Sequence, residues 1–197
     1  VSPQFFVKAA KWAWERGDVD EALQAYRFAA NLAPDDAVIG LGFARVLESQ
    51  GRSAEAISEL RRVVHESPDE GAVWRHLASL LHPADMTAAL EAAEMARTVL
   101  DDDASHALFA ALAMKARSYE LASAVYEKLT IRDTKNPYYF YWLAMARLAD
   151  GDCAGGLLSL SEVIRLRANW GEAHVVQIRA YALCGARPER VKARSKA

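Results

Sequence analysis

At 197 residues, with 52% hydrophobic and 25% charged residues and only 10 Gly and 6 Pro, the chain has the balance of a globular protein, which excludes general disorder and a collagen-like repeat. Its 24 Lys plus Arg against 26 Asp plus Glu leave a formal charge of -2, so no global field draws it to nucleic acid or anionic lipid. The longest unbroken apolar run, Tyr138 to Ala146, has nine residues, well short of the roughly 20 that a membrane-spanning helix needs.

Alanine occurs 39 times against 23 Val, Ile and Thr together, so strong helix formers outnumber the residues that favour strands and an all-α fold is expected. From the N-terminus, Ala22, Tyr26, Ala29 and Ala30 share one helical stripe while Glu21, Gln24 and Arg27 point elsewhere; Phe109, Ala110 and Ala113 do the same later. The chain-breakers keep time along the sequence. Gly17 and Gly51, Pro34 and Pro68, and Gly151 and Gly185 are each 34 residues apart, the mark of stacked repeats. Each period holds two helical patterns, split by a turn such as Arg16-Gly17-Asp18 and closed by one such as Ala33-Pro34-Asp35-Asp36. Glycine ends the first helix in left-handed geometry, and the acids after the proline complement the next helix dipole. Between Gly51 and Gly151 two residues are missing from three periods; the gaps fit His82 to Asp85 and Asp101 to Asp103.

This pattern resembles the tetratricopeptide repeat, a 34-residue helix-turn-helix unit with a loose W-x2-L-G-x2-Y, A-x3-F, P signature. The first unit offers Phe6, Ala9, Ala10, Ala22, Tyr26 and Pro34; the second Phe43, Ala44, Leu47, Ala56, Leu60 and Pro68. The third has Trp74, Leu77, Ala78 and Leu81, the fourth Phe109, Ala110, Ala122 and Tyr126, and the fifth Phe140, Leu143, Ala144 and Leu160, with Gly156 at the small-residue position. The resemblance implies a right-handed superhelical solenoid whose first helices line a concave face. Its units are expected at about 3–36, 37–70, 71–102, 103–136 and 137–170, with a sixth first helix at 171–185 and a basic tail at 186–197.

Signatures of catalysis are absent: there is no Gly-rich phosphate loop, H-E-x-x-H, C-x-x-C or G-x-S-x-G. The chain is therefore expected to be no enzyme and to need no cofactor or metal. His76 and His82 are six apart and turned about 120° from each other on a helix, a poor ligand pair. His106 and His174 fall on packing positions, and Asp101 to Asp103 suit a helix cap better than a cation site. In the family some members clamp a chaperone's C-terminal carboxylate; the matching places hold Val7, Lys11, Gly42, Ala72 and His76, so that use is not expected. Cys153 and Cys184 stand at ends that antiparallel helices bring together, and they are expected as two free thiols in a reducing compartment. Compartment stays open, with cytoplasm slightly favoured over periplasm. Val1 in place of Met suggests a processed chain or a fragment.

The expected inner face changes along the chain. Its early part carries Arg45, Glu48, Arg75, His76, Ser79 and His82. Its later part carries Leu108, Ala111 and Met114, then Tyr138, Tyr141, Trp142, Met145 and Leu148, then Val175 and Val176. A helix apolar all round, as at Tyr138 to Ala149, is normally buried on more than one side. Leu108, Met114, Tyr138, Tyr141, Trp142, Met145, Leu148, Val175 and Val176 are thus expected to bind a protein or peptide segment with apolar anchors, with self-association as one form. The expected role is a non-catalytic scaffold or adaptor; the alternative is a substrate-positioning or regulatory region of a larger enzyme such as a transferase.

Overall fold

The computed structural model describes residues 2–82 and 84–185, and the basic tail expected at 186–197 lies outside them. The described residues form eleven α-helices and no strand. In order these are α1 (Pro3–Glu15), α2 (Val19–Leu32), α3 (Ala37–Ser49), α4 (Ser53–Glu66), α5 (Gly71–Leu81) and α6 (Met86–Leu100), then α7 (Asp103–Lys115), α8 (Tyr119–Arg132), α9 (Pro137–Asp150), α10 (Cys153–Leu166) and α11 (Gly171–Gly185). They fall into two compact units, one running to Ser105 and one starting at His106.

Local chemistry sets the helix starts. Asp18, Asp36, Asp85 and Asp152 each accept a backbone N–H from the first turn of α2, α3, α6 and α10, satisfying donors a helix leaves orphaned. Asn136 does so for α9, whose first residue is Pro137. Asp102 accepts the Ser105 N–H at 2.7 Å, so the acids before α7 do act as a cap. Between the helices of a pair the turn needs a left-handed residue: Gly17, Gly51 and Gly151 have φ of 79°, 69° and 89°. In the fourth pair the same place is held by Arg117 at φ 59°, a conformation that costs a residue with a Cβ roughly 1 kcal/mol or more.

Within the first unit each helix packs on the next from α1 to α6, and within the second the same holds from α8 to α11. Neither helix of a pair could bury its apolar stripe alone, and within each unit successive pairs complete a core. Small residues recur at the equivalent position of the pairs: Ala22, Ala56, Ala89 and Ala122 are fully enclosed, and Gly156 is buried. A Cβ on Gly156 would stand 2.6 Å from Cγ of Leu148, so here the neighbouring leucine occupies the room a methyl fills elsewhere. Leu60 and Leu160 hold matching core positions in the two units and are both fully buried.

The expectation of two free thiols is overturned: Cys153 and Cys184 form a disulfide. Antiparallel packing of α10 and α11 sets the first residue of one beside the last turn of the other, with Cα atoms 5.8 Å apart, inside the range a disulfide spans. Two half-buried sulfurs at that spacing are better placed to bond than to pack as separate apolar groups.

Candidate protein-interaction surface

The aromatic stripe is carried by α9, whose position in the second unit is fixed from two sides by α8 and α10. Pro137 and the Asn136 cap start it, and Gly151 stops it. Arg147, its one basic side chain, is drawn off the stripe to Glu127 at 2.6 Å and to the Ser159 hydroxyl at 3.2 Å. That leaves Tyr138, Tyr141, Trp142, Met145 and Leu148 at helical spacing along one apolar band.

These residues differ in what they present. Tyr138 and Trp142 are 51% and 43% exposed, whereas Tyr141 is only 6% exposed. The Tyr141 ring stacks on Trp170 with centroids 4.8 Å apart, and Trp142 meets it edge-on at 5.5 Å. Its hydroxyl donates to Glu172 Oε1 at 2.8 Å, and burial together with that carboxylate pushes its pKa up to about 12. Tyr141 is therefore the floor of the surface and a core residue rather than an open contact. Tyr138 also meets Trp170, tilted against it with centroids 5.0 Å apart, and accepts a hydrogen bond from Arg167, whose guanidinium sits 5.3 Å from the Trp170 ring. Met145, Leu148 and Val176 pack partly buried against the Tyr141 core cluster, while Val175 on α11 is 47% exposed. Leu108 and Met114 lie on α7, each half-buried.

Where α9 ends, Met145, Leu148, Val176, Ala180, Leu183 and the disulfide line an open apolar pocket of about 590 Å³. Trp170 was not among the residues the sequence pointed to, although a signal was there. It stands immediately before a first helix, where Asp36, Glu70 and Asn136 stand before theirs, and a large aromatic in a capping column is out of character.

In the first unit the corresponding face is polar. His76 Nε2 pairs with Glu48 at 2.6 Å, and Arg75 reaches Asp102 at 2.9 Å. Burial works against ionising Asp102, but the Ser105 N–H and hydroxyl and the Arg75 guanidinium outweigh it and hold its carboxyl below the ordinary value. Among the described residues no three His, Cys, Asp or Glu side chains gather as a metal site would require.

Residues 13–81 match the family model of the tetratricopeptide repeat. Among solved structures, the C-terminal part of a TPR repeat-containing protein from Cytophaga hutchinsonii is similar, with a TM-score of 0.78 and 16% identity over 96% of this chain and 80% of that one. MamA is similar with a TM-score of 0.73 and 16% identity, covering 86% of this chain and 95% of that one. YrrB, described as a TPR protein with an unusual peptide-binding site, gives a TM-score of 0.73 and 16% identity over 88% and 90% of the two chains. Comparison with curated proteins finds no match. The resemblance read from the sequence thus holds, and the fold is an all-α solenoid of tetratricopeptide-type helical repeats. No described helix is long and apolar enough to cross a membrane.

Proposed function

We propose that the second unit of this tetratricopeptide-repeat fold is a non-catalytic docking surface for a peptide or protein segment with apolar anchors, which makes the chain a scaffold or adaptor. The observation that carries this reading is the pairing of a rigid floor with an open rim: Tyr141 is locked between Trp170 and Glu172, while Tyr138 and Trp142 stand half exposed over it. Aromatic rings held in place offer large contact area at little entropic cost, and the neighbouring Met145 adapts to irregular shapes. Leu148, Val175 and Val176 extend the apolar surface, and the half-buried Leu108 and Met114 of α7 are included from their place in the repeat pattern. Peptide binding by YrrB, which has a similar fold, supports the class of function and says nothing of the ligand.

The experiment is a pull-down from lysate with the intact chain, its Trp142→Ala and Val175→Glu variants, and mass spectrometry of what is captured. A partner retained by the parent chain and lost by both variants, at unchanged melting temperature, is the expected outcome. Capture that is indifferent to both substitutions removes this surface from the proposal.

A further inference from the structure

The last helix of the second unit, α11, is held unevenly along its length. At its start Trp170 stacks on Tyr141 with centroids 4.8 Å apart, and Glu172 accepts from the Tyr141 hydroxyl at 2.8 Å. His174 Nε2 lies 2.8 Å from the Ala168 carbonyl, and Gln177 reaches the Ser161 hydroxyl of α10 at 3.4 Å. Past Gln177 the ties are the buried methyl of Ala180 and the bond from Cys184 to Cys153. Ile178, Tyr181 and Leu183, in the same stretch, are exposed. An alanine methyl takes little apolar area out of water, so the two sulfurs are what hold this half of the helix down.

The disulfide is also within reach of a reagent. Both cysteines are half-buried, and both line the open pocket of about 590 Å³ that Met145, Leu148 and Ala180 share. Disulfides that solvent can reach are the labile ones, whereas structural bridges sit where a thiolate cannot approach. The two sulfurs differ in their surroundings. Cys153 is the first residue of α10, at the positive end of that helix dipole, and Cys184 stands in the last turn of α11, at the negative end. The Asp152 carboxylate beside Cys153 is turned to the Gly155 N–H at 3.0 Å and lies 3.9 Å from Arg147 Nε, which tempers its opposition to a negative sulfur. A thiolate therefore leaves more readily at Cys153 than at Cys184.

We infer that the bond between Cys153 and Cys184 is a reversible redox site for a dithiol reductant, and that its reduction releases the C-terminal half of α11 while α9 and α10 stay folded. One thiolate of the dithiol attacks Cys184 Sγ; the disulfide breaks, and Cys153 leaves as a thiolate. The reductant's second thiolate then attacks its own sulfur in the mixed disulfide, and Cys184 leaves in turn. Two electrons pass from the dithiol to the protein, the protons given up by its thiols end on the two cysteines, and the reductant departs as a cyclic disulfide. Residues 178–184 are too short a stretch to remain helical on their own. Their release withdraws the pocket wall made by Ala180, Leu183 and Cys184 and bares Met145 and Leu148 of α9. The start of α11 stays in place, because a dithiol does not act on the contacts of Trp170 and Glu172 with Tyr141. This inference does not rest on the docking role proposed above, and either can fail without the other.

The test uses the full chain and dithiothreitol, with alkylation to count thiols and amide hydrogen exchange read by mass spectrometry. In native buffer the bond is expected to be reduced at a rate proportional to dithiothreitol and within about tenfold of the rate in concentrated urea, as direct attack on a reachable disulfide implies. A native rate that levels off with reagent shows that reduction waits for unfolding, and it overturns the inference. In the reduced chain the amides of 178–184 should exchange at least about tenfold faster than in the oxidised one, a local opening, while 171–177 and α9 remain better protected. Oxidised glutathione should restore the protection. The double variant Cys153→Ser, Cys184→Ser should exchange fast at 178–184 from the outset and ignore dithiothreitol; the reduced parent chain supplies the same reading without a substitution. Exchange at 178–184 unchanged by reduction, α9 losing protection to the same degree, a reduced chain that does not re-form the bond, or a double variant that responds to dithiothreitol overturns the inference.

Discussion

The two units are built from the same pair of helices and end up with different faces. In the first, ion pairs of His76 with Glu48 and of Arg75 with Asp102 share the first helices with the exposed apolar side chains of Trp14 and Val38. In the second, the matching helix α9 offers rings, and its one basic side chain is turned away to Glu127. Underneath, the units are alike, with Leu60 and Leu160 or Ala56 and Gly156 in equivalent buried places. Repeat folds of this kind are held by the small-residue and leucine columns between helices, so the outward face carries little of the fold's energy and can diverge. The difference therefore speaks about partners rather than about stability.

The sharpest way to break that separation is to charge the two faces. Tyr141→Glu places a carboxylate in the core cluster of the second unit and is expected to cost several kcal/mol in urea denaturation, as burying an unpaired charge does. Arg45→Glu, at an exposed position of the first unit, should stay within about 0.5 kcal/mol of the parent. A large loss at Arg45 would mean that the polar face is also structural. Next in size is the disulfide, which only the second unit possesses. Replacing Cys153 and Cys184 together by Ser opens a loop of 31 residues, and the chain-entropy argument gives a loss of about 3.7 kcal/mol. The loss should appear in the unfolding of the second unit and leave the first unchanged, which amide exchange can resolve unit by unit.

A third contrast is in alkali. Tyr141 and Tyr126 have pKa values pushed up to about 12, the first by burial and Glu172, the second mainly by burial. The folded state holds these protons more tightly than the unfolded chain, whose tyrosines titrate near 10. Their contribution is complete below pH 10 and is lost as the pH rises from 10 through 12. Urea melts across that window should show the second unit weakening, and Tyr141→Phe should flatten the fall. The smallest effect concerns the turn that departs from its counterparts. Arg117→Gly relieves a left-handed φ of 59°, and a gain of roughly 0.5–1 kcal/mol is expected, set against the extra freedom glycine has in the unfolded chain.

Much of the fold was legible because the breakers repeat: glycine turns and capping acids recur with the period, and the alanine column marks where helices approach. Arg117 was hidden for the complementary reason, since a turn imposed by its flanking helices needs no glycine to announce it. The aromatic band on α9 was visible as a band, but its split into floor and rim was not. Tyr141 is inside because Trp170 covers it, and Trp170 comes from a loop whose residue type gives no hint of where the ring will turn. Tyr26 was read as a packing residue of a second helix, which it is. That its hydroxyl emerges in a groove between two first helices depends on the absence of a side chain at Gly42, a relation between positions 16 apart that no helical period expresses.

The bond between Cys153 and Cys184 also decides how the chain would carry a load. Tension applied beyond Cys184 passes through the sulfurs straight to the first turn of α10 and onward toward Gly151, so the chain between the two cysteines bears none of it. α11 and most of α10 become a shielded loop that can hold its shape while the rest is pulled. Breaking the bond would place those residues in the line of force and release, on full extension at about 3.3–3.6 Å each, roughly 100 Å of slack. A redox change at one pair of sulfurs would then read out as a change of reach.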